Sequence, residues 1–521
     1  MSLSLHTIAA AATKAFPSHS VRGRFIRHLV PEPLTSGLVS GYRRYVTQVE
    51  PQHWAPLVSR TPVPGEPLIS VVIPLFNTPD AYLHPLLDSL VNQTFGDFEV
   101  IVADASTDAA RAAAIEHACV SDPRLHYVRL EENLGISGNT NAALGHSKGE
   151  YVAFVDHDDM TSPHALNEVA ARVTDDPAID ILYSDEDVLS DDGMKRQTPF
   201  FKPDWSPHMF MECNYTNHLS VIRRSLIEEV GGLRPEFDGA QDYDLLLRIH
   251  TLPKKPVIAH IPQVLYHWRE AATSTALQVG AKSYSIDAGH QALAQYLDRV
   301  GVTYDGVDDA PEQAGWHRVR ARWPVDVAVI CSGDAAGCLD AMRDATTPSA
   351  CRPTWLSQPS FDERALGDAE VVVLIEQPYW PDDPTWLDDL VGALTLPEVT
   401  AVGPLLAGPH GKADSAGYAW DAIGVQTIMR QSRIDSGDFN GIARMVRDVD
   451  AVSRAFVAVR RADVDLLTKP CVPTLVIVPP ERGYAVVWGH LCMTRRDGLR
   501  RSSGMVSPHV GLGAMGWMRQ R

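Results

Sequence analysis

No stretch of this 521-residue chain approaches about 18 consecutive apolar residues, so it offers no candidate for a membrane-spanning helix. Cysteine is scarce. The seven present (119, 213, 331, 338, 351, 471, 492) make no C-x-x-C pair and no metal-ligand spacing. They fit small buried hydrophobes in a reducing compartment. The N-terminus lacks a basic region, and Lys14 interrupts its weak Ala-rich start, so a secretory signal is not expected. The working expectation is a cytoplasmic protein. No G-x-G-x-x-G follows the first strand, which disfavours a dehydrogenase. Positive charge is in deficit: 46 Lys and Arg against 65 Asp and Glu give −19, which argues against general nucleic-acid binding.

What is present is ordinary for a soluble globular protein, with 45% apolar and 21% charged residues. The length allows two or three domains with large cores. The basic residues concentrate at the ends. Residues 1–50 carry Lys14, Arg22, Arg24, Arg27, Arg43 and Arg44 against Glu32 and Glu50, net +4. Residues 493–521 carry Arg495, Arg496, Arg500, Arg501, Arg519 and Arg521 against Asp497, net +5. Such ends either dock peripherally on an anionic membrane face, at about 1 kcal/mol per residue, or are solvated tails.

Residues 1–66 close on a Pro-rich approach (Pro51, Pro56, Pro62, Pro64, with Pro67 beyond) that reads as a linker after a basic extension. Ile69–Ile73 is a short β-branched strand stopped by Pro74. Leu83, Leu86, Leu87, Leu90 and Val91 form one apolar stripe of a helix. Phe98–Ala103 predicts a second strand ending at Asp104. A helix over 108–118, a strand near 126–130 and a loop, Asn133–Asn141, follow. The apolar run Tyr151–Val155 then ends in Asp156-His157-Asp158-Asp159. Thr161 or Ser162 caps the next helix, with Pro163 in its first turn and Leu166, Val169, Ala170 and Val173 as its stripe. A strand over 179–183 closes the set. Strands alternating with helices predict an α/β architecture with a mostly parallel, doubly wound sheet. Ligands of such sheets bind at the carboxyl ends of the strands, where Pro74 to Asn77, Asp104 and Asp156 to Asp159 all lie.

The acidic tetrad is electrostatically expensive. Two unit charges about 4 Å apart repel by roughly 4 kcal/mol at an effective dielectric near 20. The cluster needs open water around it or a divalent cation within it, and its oxygens suit Mg²⁺ or Mn²⁺. The plain alternative is an acidic turn capping the following helix. Asp242 likewise reads as a simple N-terminal acid of a helix or as a working carboxylate. His157 reads as a spacer; Asn139 and Asn141 read as loop formers or nucleotide contacts. Asp185, Glu186 and Asp187 read first as a solvated strand end, and second as a stretch along which the acceptor passes. Thr273 to Thr275 form a polar loop or a lid, and Trp205 and Trp268 are core shelves or sugar-stacking platforms.

An internal repeat is also visible. Strand 151–155, acidic turn, helix, Pro177 and strand 179–183 recur 220 residues later as Val371–Ile375, turn, helix near 384–394, Pro397 and strand 399–402. At that offset Asp156 maps to Glu376, His157 to Gln377, Asp158 to Pro378 and Asp159 to Tyr379. Val221-Ile222-Arg223-Arg224 similarly resembles Ala458-Val459-Arg460-Arg461. The copy's first strand, near Val327–Ile330, lies 46 residues before its turn (330 to 376), against 83 in the first copy (73 to 156), so roughly one βα unit is missing. The second copy keeps the scaffold without the carboxylates and is expected to be non-catalytic.

Taken in order, Ser70–Asn77, Asp104, the tetrad, Asp242-Tyr243-Asp244-Leu245 and Leu265-Tyr266-His267-Trp268-Arg269 resemble glycosyltransferase family 2. Tyr183–Asp187, Phe201-Lys202-Pro203-Asp204-Trp205 and Gln241–Asp244 are similar to rhamnosyltransferase-type members that build bacterial surface polysaccharide. The chain departs from the common pattern at Ala103 and Ala105. The resemblance implies a GT-A fold (Rossmann-like) over residues 67–310 and a degenerate GT-A-like domain with a basic tail over 325–521. It implies inverting transfer of a hexosyl group from a UDP- or dTDP-sugar to a saccharide or polyprenyl-linked acceptor, with Mn²⁺ or Mg²⁺. Pro74, Phe76, Asn77, Asp104, Asn141, Asp156 and Arg269 would then contact the donor. Asp156, Asp158 and His267 would hold the metal, and Asp242 would be the general base.

Two rivals stand beside this reading. One is a metal-dependent phosphotransferase with Asp156 as nucleophile, since Asp156-x-Asp158-x-x-Thr161 superficially fits an aspartyl-phosphate loop. That loop normally follows the first strand of its domain, and it leaves Asp104 and Asp242 without roles. The other is a nucleotide-sugar-binding scaffold, which suits the second domain better than the first.

Overall fold

The β-branched run at Ile69 becomes the central strand of the first sheet. The structure, a computed structural model, describes residues 42–60, 65–270, 281–310, 315–348, 350–408, 412–421, 424–427, 446–468 and 474–495. The basic stretches 14–27 and 496–521 and the run Thr273 to Thr275 lie outside them. Among the described residues no helix is long and apolar enough to cross a membrane.

Strands of the first unit are β1 (Ile69–Leu75), β2 (Phe98–Asp104), β3 (Leu125–Arg129), β4 (Tyr151–Phe154), β5 (Met160–Thr161), β6 (Ile181–Leu189), β7 (Arg196–Phe200), β8 (Ser220–Arg223) and β9 (Ile258–Arg269). Their order is β3-β2-β1-β4-β8-β6-β9-β5, with β7 beside β6. β1 lies parallel to both β2 and β4, with Ile69 opposite Phe98 and Tyr151. Helix Asp80–Val91 packs on this half through buried Leu83, Leu86, Leu87 and Leu90. Beyond β4 the pattern changes: β8 is wedged antiparallel between β4 and β6, while β6 and β9 are parallel. The architecture is the expected α/β, GT-A-like one, with a parallel half and a mixed half.

Three local expectations are corrected. The helix after the acidic turn starts at Ala165 with His164 before it and no side-chain cap. Thr161 is instead drawn into β5, opposite Tyr266, and accepts from Gln93 Nε2 at 3.1 Å. Asp185 and Asp187 are not a solvated strand end: β6 continues through them and both are fully buried. Each has nitrogen partners that hold it there, His260 Nε2 at 2.8 Å from Asp185, and Arg196 Nε and His267 Nδ1 at 2.6 Å from Asp187. Finally, the described part of the N-terminal segment is packed rather than a free linker. Tyr42 bonds to Asp187, Glu50 pairs with Arg196 at 2.8 Å, and Trp54 stacks on His164.

A hairpin of β10 (Tyr304–Asp309) and β11 (His317–Ala321) leads to the second unit. Its strands are β12 (Asp326–Cys331), β13 (Arg352–Ser357), β14 (Val371–Ile375), β15 (Tyr379–Pro381), β16 (Val399–Ala407), β17 (Ala413–Ser415), β18 (Tyr418–Asp421), β19 (Gly424–Thr427), β20 (Arg447–Val449), β21 (Ala451–Ser453), β22 (Phe456–Arg460), β23 (Leu475–Ile477) and β24 (Tyr484–Arg495). The main order is β13-β12-β14-β22-β16-β24-β15. Place for place this repeats β2-β1-β4-β8-β6-β9-β5, with no counterpart of β3 among the described residues. Directions repeat as well. β22 is antiparallel to β14 as β8 is to β4, β24 is parallel to β16 as β9 is to β6, and β15 is antiparallel to β24 as β5 is to β9. The missing βα unit is therefore the outermost one.

The two units share one apolar core that includes Leu246, Leu293 and Tyr296 from the first and Val391, Phe456 and Val486 from the second. Polar clasps accompany it. His208 Nδ1 meets Asp448 Oδ1 at 2.5 Å, Ser206 Oγ donates to Asp448 Oδ2 at 2.6 Å, and Val446 N donates to Glu212 Oε2 at 2.8 Å.

Candidate active site

Strand β4 ends at Phe154, and the acidic turn after it divides its carboxylates between two environments. Asp156 projects into a cleft with 59% of its side chain open to water, whereas Asp159 is 1% exposed and turned inward. The inward acid is braced from β9: Asp159 accepts from Tyr266 Oη at 2.6 Å and from Arg269 N at 2.7 Å. Tyr266 Oη also accepts from Asp156 N at 3.1 Å, and Arg269 Nε donates to the Asp158 carbonyl at 2.7 Å. Two side chains of one strand thus fix the turn. Burial, with the negative charge of Asp156 beside it, holds the Asp159 carboxyl well above the usual range. Burial likewise raises that of Asp158.

The segment leading into β8 supplies the opposite wall. His218 Nε2 lies 3.5 Å from Asp156 Oδ2, and its Nδ1 lies 3.2 Å from Glu186 Oε2 on β6. The ring stacks on Tyr266, centroid to centroid at 4.6 Å. Burial alone would lower the imidazole pKa; the two flanking carboxylates outweigh it and hold it well above its ordinary value. Partial desolvation by the surrounding cleft wall would raise the Asp156 carboxyl, and the neighbouring His218 outweighs it and brings it below the carboxylate norm. One ligand atom from each of Asp156, Asp159 and His218 falls within 4.8 Å of the others.

Asp242 stands in the first turn of helix Gln241–His250, where an anion is favoured by the helix dipole. Its neighbours are amides: Asn217 Nδ2 donates to Oδ2 at 2.7 Å and Gln241 Nε2 to Oδ1 at 3.2 Å. Burial first, and Asp156 second, raise its pKa. Asp242, Asp156, Asn217 and His218 line one cleft of about 390 Å³ including its solvent-open part, with Phe154, Leu245 and Leu246 as the apolar floor. The structure therefore brings Asp156 and Asp242 together in one cleft.

Other expected residues sit differently. His267 turns its Nδ1 to Asp187, and neither it nor Asp158 joins the three-ligand group among the described residues. Arg269 is 2% exposed and its guanidinium donates to the Asp158 and Asp191 carbonyls. The Asn141 carboxamide binds the Leu233 backbone at both ends, Nδ2 to O at 2.7 Å and N to Oδ1 at 2.9 Å, which fastens the loop before Asp242. Asp104 is fully buried, accepting from Ser106 N and Tyr127 Oη, each at 2.9 Å. It shapes the β1–β2 edge on which Pro74 is half-buried, Phe76 is exposed and Asn77 takes a left-handed φ of 53°. Most of the loop expected over Asn133–Asn141 is a helix, Gly135–His146; Asn139 is buried within it, and its side chain bonds to Leu134 N and Asn133 just before the helix start. Trp205 packs among Phe210, Tyr215 and His250, and Trp268 against the first unit's core.

Sequence reasoning missed Asn217, His218, Glu186 and Lys202. Glu186 and Lys202 lay in the Tyr183–Asp187 and Phe201–Trp205 segments without a role at the site, and Asn217 and His218 sit in no local pattern that separates them from loop polar residues. The available signal was the polar run Asn214–His218 immediately before a buried strand.

Compared with known proteins, residues 70–231 match the family described as glycosyl transferase family 2. The chain is 32% identical over 393 residues to the O-antigen biosynthesis protein RfbC of Myxococcus xanthus, covering 67% of this chain and 30% of that one. It is 25% identical over 247 residues to the hyaluronan synthase of Pasteurella multocida, covering 47% and 24%. Among solved structures, S. aureus TarS 1–349 in complex with UDP-GlcNAc aligns with TM-score 0.34 and 22% identity, over 44% of this chain and 72% of that one. The chain spans under half the length of the first curated relatives it matches, 30% and 44%.

Proposed function

From the premise that this chain carries a glycosyltransferase family 2 domain at residues 70–231, we propose that it transfers a sugar from a nucleoside diphosphate donor to a saccharide hydroxyl, with inversion, in surface polysaccharide assembly. The observation that carries the reading is the joint placement of Asp156, His218 and Asp242 in one cleft at the carboxyl edge of the sheet.

The donor set fits a divalent cation. Two carboxylates and an imidazole converge, and the imidazole's far nitrogen meets Glu186, the outer carboxylate that metal-bound histidines commonly have. Asp156, Asp159 and His218 would hold Mg²⁺ or Mn²⁺, whose contribution when bound is to neutralise charge on the departing diphosphate. The remaining work belongs to the chain. Asp242 accepts the acceptor hydroxyl's proton as that oxygen attacks the anomeric carbon from the face opposite the diphosphate, and its raised pKa strengthens it as a base. Asn217 aims the carboxylate. Phe76 and Asn77, on the rim above Asp104, form the donor's base side.

For the second unit we propose a supporting, non-catalytic role. Glu376, in the slot of Asp156, is bound by Arg454 Nε at 3.0 Å, so a guanidinium already neutralises it. The order of elements after β22 also provides no ten-residue helix corresponding to Gln241–His250 before the next main strand, β24, among the described residues.

A thermal-shift screen of the full chain with UDP- and dTDP-sugars tests the reading. The expected result is a rise in melting temperature that needs both Mn²⁺ and nucleotide and vanishes in Asp156→Asn. Nucleotide binding indifferent to chelator and to that substitution would overturn the metal assignment, and no binding at all would overturn the donor class.

A further inference from the structure

Resting on that reading, we propose that Lys202 is a positioning residue for the transfer: its buried ammonium holds the Asn217-His218 backbone, and through it the aim of Asp242 and Asp156. The Lys202 side chain is fully buried. Its Nζ donates to the Asn217 carbonyl and to the His218 carbonyl, each at 2.6 Å, and lies 3.4 Å from Glu186 Oε2. Three donors thus meet three acceptors, which is what keeps a desolvated ammonium tolerable.

The choice of carbonyls is what links this lysine to the reaction. Asn217 carries the amide that donates to Asp242, and His218 carries the imidazole beside Asp156. Both residues precede the first paired residue of β8, Ser220, so the sheet ladder does not fix them. Lys202 and Glu186 do: the Glu186 carboxylate also accepts from His218 N at 2.5 Å. Lys202 is itself anchored, its own N donating to buried Asp185 at 2.9 Å while the next carbonyl, that of Pro203, accepts from Tyr183 Oη at 2.7 Å. The Phe201-Lys202-Pro203-Asp204-Trp205 and Tyr183–Asp187 segments therefore form one bracket behind the cleft. Neither touches the reacting atoms.

The test uses the full chain and the UDP- or dTDP-sugar that the wild type turns over fastest. Lys202→Met keeps the side-chain volume and removes the donors. It is expected to lower kcat on the order of 100-fold, with donor KM moving by less than about tenfold. Lys202→Gln, whose amide still reaches one carbonyl, should recover part of that loss. Combining Lys202→Met with Asn217→Ala should give a loss smaller than the product of the single losses, because both act through one contact. Folded Lys202→Met with wild-type kcat, or a multiplicative loss in the double variant, overturns the proposal. Should Lys202→Met not fold, Lys202→Gln takes its place in the same double-variant comparison, with the same two overturning results. A wild type that turns over no nucleotide-sugar overturns the parent reading and this inference together; normal turnover with an inert Lys202 overturns the inference alone.

Discussion

Asp242 and Asp244 stand two residues apart on one helix and are treated in opposite ways. Asp244 is clamped by Arg248 Nε at 2.9 Å and Arg234 Nε at 3.1 Å, so its charge is fully matched. Asp242 receives only amide hydrogens and faces the cleft. A carboxyl whose folded pKa is raised binds protons more readily in the folded state. Its ionised form therefore weakens folding as pH rises from the unfolded value through the folded one. Asp242→Asn is accordingly expected to melt no lower than wild type at neutral pH and to keep donor binding. Transfer should fall by about 10²- to 10⁴-fold. In the wild type, kcat should drop on the acid side at a pH above the usual carboxylate range, and initial rates across pH check this; retained turnover in the variant would remove the base assignment. The sequence made Asp156 and Asp242 legible because Asp156 follows an apolar strand run and Asp242 opens a helix whose apolar stripe comes after it. His218 and Glu186 were not legible. Their meaning comes from a 3.2 Å contact across 32 positions.

At the level of elements, β9 decides the shape of the acidic turn. Its twelve residues carry Tyr266 and Arg269 past β5 to reach Asp156, Asp158 and Asp159. Tyr266→Phe removes one hydroxyl that serves two partners, leaving the Asp156 N–H and the buried Asp159 carboxylate short of a bond. The expected destabilisation is about 1–3 kcal/mol by urea denaturation, with weaker Mn²⁺-dependent nucleotide binding by calorimetry. Unchanged stability and binding would show that the turn does not depend on this brace. The expected strand over 179–183 fell short for a related reason. A run of Ser-Asp-Glu-Asp reads as a strand end by polarity, yet each carboxylate finds a cation or ring nitrogen supplied by distant segments, so β6 runs on to Leu189.

For the whole molecule, the repeated strand order shows one scaffold used twice, with a carboxylate-lined cleft in the first use and the Glu376–Arg454 pair in the second. The units are joined by a shared apolar core and by His208 against Asp448. Burial would discharge this imidazole, but Asp448 outweighs it and raises the pKa above 6.5. The pair's contribution is therefore complete below the ordinary imidazole value and is lost as pH rises through the elevated one. Wild type should lose more stability than Asp448→Asn as pH rises from the ordinary imidazole value through the elevated one, measured by urea denaturation. Equal losses would mean that the clasp does not titrate.

By itself the sequence determined the alternation of strands and helices, the placement of Asp156 and Asp242 at element ends, and the existence of a second copy short of one unit. Those features are periodic, and periodicity follows from local backbone geometry. Only the tertiary structure decided which polar groups face them. It chose His218 for the cleft, assigned His267 to Asp187, fastened Asn141 to Leu233 and buried Lys202 behind the site. Each of those outcomes depends on which distant segment arrives to satisfy a buried charge or an unpaired carbonyl, and chain spacing carries no record of that.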